Sequence, residues 1–191
     1  MNGTGPFETR LQGLPLSDGT VVGRVCMFND DRHRNLPMYH VANGDIQDEV
    51  DRIASARTIA SQRLADIQER VEKRLGRTEA GIFFAQRMIL EDPELTASIE
   101  ALIRERGVNA ETAVTLALDS YEARLSEVDS DFLRERASDF GEVRRRLLDV
   151  LGDVSPSLQC DAYHCQKGKN RVVVAEELTP SLTVELDTEH V

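Results

Sequence analysis

The stretch Glu79-Ala-Gly-Ile-Phe-Phe-Ala-Gln-Arg-Met-Ile-Leu-Glu-Asp-Pro-Glu-Leu95 decides how this chain folds. On a helix, Ile82, Phe83, Gln86, Ile89 and Leu90 fall on one face at three- and four-residue spacing, which predicts the core side. Phe84 and Met88 are four apart on a different face, where a small bundle normally carries charge. Asp92 is expected to stop the helix, and Pro93 to open the next as its first residue. Two readings follow for Phe84 and Met88. Left on the outer side of a bent helix, they form a partner-docking surface. Otherwise they pack under a neighbouring helix, which is the default on pattern alone.

Outward from this stretch, residues 45–151 read as helix with short breaks. Asp45 is expected to cap a long helix whose apolar stripe is Ile46, Val50, Ile53, Ala60, Leu64, Ile67, Val71 and Leu75, with Arg57 the exception and Gly76 the end. After Asp92-Pro93, the stripe Leu95, Ile99, Leu102 and Ile103 runs to Gly107. Asn109 is expected to cap the next helix, with Ala110, Val114, Ala117, Tyr121 and Leu125 facing inward. Asp129-Ser130 is expected to cap the last, with Leu133, Ala137, Phe140, Val143, Leu147 and Leu151 as its stripe. Residues 8–42 read instead as strands and turns, broken by Gly13, Pro15, Gly19 and Gly23, with a β-branched bias over Val21–Phe28. Arg171-Val-Val-Val-Ala175 is a short buried-strand pattern, and Thr179-Pro180 is placed to start a helix. The expected fold is therefore α+β and mainly α: a four-helix-type subdomain over 45–154, inserted into a partial α/β domain formed by 1–44 and 155–191.

The composition fits this picture. Of 191 residues, 40% are hydrophobic and 30% charged, which is globular rather than disordered. Aromatics are only 5%, with no Trp, which favours a helical core packed with Leu, Ile and Ala. A net charge of −11 argues against nucleic acid or an anionic membrane as ligand and suits a basic protein partner. No window is apolar enough to span a membrane, the first ten residues lack a secretory pattern, and three cysteines do not make a disulfide framework. The expected location is cytoplasmic.

Candidate chemistry is sparse. Cys160, His164 and Cys165 form the one Cys/His cluster, and a closed metal site there lacks a further ligand; a solvated loop is the simpler reading. His33, His40, His164 and His190 fall in no nucleophile or base motif, and there is no phosphate-binding glycine loop or nucleophile elbow. Arg136 reads either as an intrahelical ion pair with Asp139 or as a cation at a surface that handles phosphate. Asp92 and Glu94 read first as cap and first-turn acid.

Taken in order, Gly13-Leu-Pro-Leu-Ser-Asp-Gly19, Ile82-Phe83 through Met88-Ile-Leu-Glu-Asp-Pro-Glu-Leu95, Phe132-Leu-Arg-Glu-Arg-Ala-Ser-Asp139 and Val172-Val-Val-Ala-Glu-Glu-Leu-Thr-Pro-Ser181 resemble the amino-terminal part of Enzyme I, the phosphoenolpyruvate–protein phosphotransferase of the bacterial sugar phosphotransferase system. The likeness covers nearly the whole chain from about Gly13. It implies an α/β phosphohistidine domain with an inserted helical subdomain on which a histidine phosphocarrier protein docks. By position it implies partner contacts at Met88, Ile89, Asp92, Glu94 and Leu95, and at Leu125, Phe132, Leu133 and Arg136; Phe84 joins them from its place beside Met88. It also implies that Thr183 lies beside the active histidine. The family's Gly-Gly-x-Thr-Ser-His motif does not occur in these residues, so no catalytic residue is assigned in this chain. Mg2+ and homodimerisation are implied only for the intact enzyme, through its carboxy-terminal part. Asp18 departs from the family's usual proline. Phe84 and Gln86 stand where an acidic residue and a histidine are common, and the 160–170 loop looks longer than usual. The alternative is a non-catalytic helical interaction or regulatory module.

Overall fold

A computed structural model describes residues 11–28, 36–42, 44–128, 130–153, 171–175 and 183; the side chains of 26–28, 131–135 and 171 are not described. Among the described residues, five helices and two strands follow in the order β1 (Arg24–Phe28), α1 (Ile46–Arg74), α2 (Arg77–Leu90), α3 (Pro93–Arg106), α4 (Ala110–Ser126), α5 (Asp131–Leu151) and β2 (Arg171–Ala175). The Asp92-Pro93 break divides one arm of the expected bundle into α2 and α3. The strands that flank the helices pair in parallel, in register from Arg24 with Arg171 to Phe28 with Ala175. A side chain at Gly23 would meet Val172 Cγ2 at 3.2 Å, so the bare backbone there allows the strands' close approach. The Cys160–Cys165 cluster, His33, His164, His190 and Thr179 lie outside the described residues; Thr183 is helical and exposed.

The core lies among the helices. Val50, Ile53, Ala56, Ala60, Leu64, Ile67 and Val71 of α1 meet Ala80, Phe83 and Leu90 of α2, Leu95, Ile99 and Ile103 of α3, Val114, Ala117 and Leu118 of α4, and Val143, Leu147 and Leu148 of α5. α1 packs on α2 and α5, and α4 on α3 and α5. The predicted stripes supply most of this core, with three corrections. Leu75 is 65% exposed, because the helix ends at Arg74 and the chain then turns through Gly76 at φ 113°. Ala56 takes the inward place beside the charged exception Arg57. Ala113, Leu118 and Leu148 join the core from outside the predicted stripes.

A buried polar knot joins the segment before α1 to the bundle. Val41 N–H donates to the Gly107 carbonyl (2.7 Å) and Asn109 N–H to the Tyr39 carbonyl (3.1 Å), so the chain entering α1 runs antiparallel to the α3–α4 loop. The Asn109 amide, fully buried, donates to the Pro37 carbonyl (2.7 Å) and to Glu111 Oε2 (2.7 Å), and its oxygen accepts from Tyr39 N–H (3.4 Å) and the Thr112 hydroxyl. Asn109 is the N-cap residue of α4, as expected, yet its side chain makes no cap bond to the helix backbone. The free Ala110 N–H is instead taken by Glu49 Oε2 of α1 at 2.8 Å. Arg52 bridges Glu49 (2.7 Å) and Glu111 (2.5 Å). Burial works against the Arg52 charge, but the hydrogen bonds and field of Glu111 and Glu49 outweigh it and raise its pKa above the ordinary value. Burial, then the nearby Glu49 carboxylate, raises the Tyr39 hydroxyl. Asp45 and Ser130, expected caps of α1 and α5, also make no side-chain cap bond; Asp129 is outside the described residues.

Gln86 is the opposite case. It faces the core as predicted and is fully buried, and neither its amide nitrogen nor its oxygen has a hydrogen-bond partner. A buried amide without partners costs roughly 1–3 kcal/mol. Urea denaturation of Gln86→Leu should therefore show a gain of about 1 kcal/mol or more, because a leucine fills a similar volume without that penalty. Asn109→Ala should lose about 2–3 kcal/mol by removing one centre of several buried bonds. Amide exchange at Val41 should accelerate in that variant ahead of exchange in the middle of α1.

Candidate partner-docking surface

α2 is amphipathic in an unusual sense: apolar side chains stand on both of its faces. Ala80, Phe83, Gln86 and Leu90 are buried, and Ile82 and Ile89 half-buried. Phe84 and Met88 stand out at 44% and 59% exposure. They do not pack under a neighbouring helix, so the outward reading of the pair describes the surface. The Arg87 guanidinium lies over the Phe84 ring, 5.6 Å from its centroid, and its Nε is 3.7 Å from Glu91 Oε1. A cation over a ring face in this way is attracted by the ring's quadrupole. Ser61 of α1 donates to the same Glu91 oxygen at 2.6 Å.

The bend after α2 is held from both sides. Arg57 donates from Nε (3.1 Å) and Nη2 (3.0 Å) to the Leu90 carbonyl, filling an acceptor that the end of α2 leaves open. This explains the charged exception in the α1 stripe: the side chain reaches across to the neighbouring helix end. Asp92 is the N-cap of α3, and its Oδ1 accepts from Glu94 N–H (2.6 Å) and Leu95 N–H (3.3 Å). Pro93 stands in the first turn, where its missing N–H is not needed. Glu91, Asp92 and Glu94 are exposed, so the helix junction next to the apolar pair is an acidic rim.

The remaining predicted residues divide. Leu95 is only 3% exposed, so its side chain belongs to the core and not to the surface, a correction to its predicted position. Its alternation with Ile99 and Ile103 already places it inward. Ile89 and Leu125 are half-buried. Arg136, with 47% of its side chain exposed, pairs with the buried Asp139 at 3.3 Å. This is the i,i+3 ion pair that the spacing allows. Phe132 and Leu133 belong to the first turns of α5, but their side chains lie outside the described residues. The structure thus brings Phe84, Met88, Asp92 and Glu94 onto adjoining stretches of α2 and α3. α5, which carries Arg136, packs against α2.

The α4–α5 seam beyond this surface is fixed by a stack of Tyr121 on Phe140, with ring centroids 5.7 Å apart and planes 7° from parallel. Aromatic pairs at this separation add to the area they bury. Arg144 pairs there with Asp119 and with Glu122 at 3.4 Å. Burial lowers the Arg144 pKa and raises that of Glu122. Among the described residues no group of three or more His, Cys, Asp or Glu is placed to hold a metal ion, and no helix is long and apolar enough to cross a membrane. The surface offers apolar area edged by acid. Two of its parts, the Arg87–Phe84 contact and the Arg57 support of the bend, have weak sequence signals: the first is a cation three residues after an aromatic, the second the lone charge in the α1 stripe.

Comparison with known proteins agrees with this architecture. A curated phosphoenolpyruvate-protein phosphotransferase of Listeria innocua is 34% identical over 184 residues, covering 95% of this chain and 30% of the relative. The chain thus spans about a third of the length of the curated relatives it matches. A solution structure of an Enzyme I protein superposes with a TM-score of 0.70 at 25% identity, covering 87% of this chain and 65% of that one. A structure described as the N-terminal domain of Enzyme 1 - Nitrogen superposes at 0.67 with 21% identity, covering 95% and 71%, which supports the fold alone. The family model for PEP-utilising enzyme, N-terminal, matches residues 12–136, and the chain belongs to that family.

Proposed function

We propose that the chain is the amino-terminal part of a phosphoenolpyruvate–protein phosphotransferase, and that its helical bundle docks a histidine phosphocarrier protein during phosphoryl transfer in the sugar phosphotransferase system. The observation that carries this reading is the exposure of Phe84 and Met88, 44% and 59%, on a helix whose other side packs into the core. An apolar pair of this kind, rimmed by Glu91, Asp92 and Glu94, suits a basic partner with an apolar centre to its contact surface. The net charge of −11 would speed encounter with such a partner.

The chemistry assigned to this part is positioning. Transfer of a phosphoryl group between imidazoles needs donor and acceptor nitrogens in line, and docking converts that encounter into an effectively intramolecular one. The Arg136 side chain, 47% exposed and paired with Asp139, is a cation suited to balancing phosphate charge. Thr183 is proposed to stand near the reacting histidine, and the flanking β1–β2 pair to belong to the α/β domain that carries it. The residues described here do not fit a Mg2+ site, so no step in this part is assigned to the ion. The proposed setting is the cytoplasm.

Titration of isotope-labelled histidine phosphocarrier protein with this protein tests the reading. Binding is expected at low salt and should weaken as salt rises through the screening range. Met88→Asp should weaken it about a hundredfold with a melting temperature near that of the parent, and Arg136→Gln about tenfold with a lower melting temperature, because that variant leaves the buried Asp139 carboxylate without this cation. A carrier that fails to bind at any salt, or that binds both variants as it binds the parent, would overturn the docking assignment.

A further inference from the structure

Gly81 stands in the interior of α2 and is exposed, and a Cβ built there would meet nothing within 4 Å. Among the described residues nothing therefore requires glycine at this position. The residue is poorly suited to a helix interior, where only proline is less favourable. Its place on the helix is informative. Gly81, Phe84 and Met88 follow one another at three- and four-residue spacing, so they share one outward stripe. The exposed ridge of Phe84 and Met88 thus begins at a stretch of bare helix backbone. Arg87 lies over the Phe84 ring, which follows Gly81 on this stripe.

We infer that Gly81 is a specificity-determining position: its bare backbone, one turn before the exposed Phe84 on the same stripe, is where an apolar side chain of the docked histidine phosphocarrier protein seats. This inference rests on the docking reading above and names the feature that sets the closeness of approach. The occupant is the carrier because the stripe ends in the acidic rim of Glu91 and Asp92, which complements a small basic protein and would repel a second copy of this acidic chain. Absence of a side chain lets the partner's apolar group lie directly on the helix, a contact that a Cβ holds further off and a leucine blocks.

The test is titration of labelled histidine phosphocarrier protein with the parent, Gly81→Ala, Gly81→Leu, Phe84→Ala and Met88→Asp, alongside thermal melting of each. Gly81→Ala should melt higher, by about 2–4 °C, while binding the carrier about tenfold more weakly. Gly81→Leu should retain the parent's melting temperature or exceed it and bind about a hundredfold more weakly. Phe84→Ala should also weaken binding. Parent-like affinity in Gly81→Leu, with binding lost in Met88→Asp, would sink the Gly81 seat and leave the docking surface standing. Parent-like affinity in Met88→Asp as well would mean that the docking reading itself had failed.

Discussion

The hydrogen bonds centred on Asn109 are the constraint around which the bundle is arranged. Two carboxylates, Glu49 of α1 and Glu111 of α4, are both buried and share the Arg52 guanidinium. Each has further donors, the Ala110 N–H for one and the Asn109 amide for the other. Removing any member leaves charge or polar groups buried without partners, which is far more costly than the net value of any single bond. The knot specifies geometry as much as stability. It sets the start of α4 against the first turns of α1, and it fastens residues 37–41 along the α3–α4 loop. Without it, apolar packing alone would let the helices slide to other registers of similar energy.

α2 has its inner face committed to packing and carries exposed apolar side chains on its outer face. Phe83 and Leu90 are almost completely buried, and neighbouring Phe84 and Met88 project outward. The bend that follows is fixed by Arg57 on one helix end and Asp92 on the next. A bend held in this way fixes the directions of α2 and α3 relative to each other.

Much of this was legible in the residues, because the strongest signals are periodic. The α1 and α5 stripes, the Asp92-Pro93 break and the Arg171–Ala175 strand follow from spacing and from the φ restriction of proline. The missed features are those in which tertiary structure decides a local choice. Asn109, Asp45 and Ser130 carry the residue types of side-chain caps, yet they make no such bond. For α4, a carboxylate from α1 takes the orphan N–H instead, and nothing near Ala110 in sequence announces Glu49. For the candidate docking surface, pattern placed Phe84 and Met88 together on the side of α2 away from the core but did not say whether a neighbouring helix covers them. Leu95 shows the converse: a family position suggested the surface, while its own spacing with Ile99 and Ile103 pointed inward.

The pairing of Arg24 with Arg171 joins segments from opposite ends of the sequence, with all five helices between them. A contact so distant carries a large loop-closure cost if it forms in an open chain, whereas helical hairpins close over short loops. The order of assembly follows from this connectivity. The helical insert collapses through neighbour contacts and draws its own entry and exit together, and the parallel ribbon zips only once that intervening polymer has been compacted.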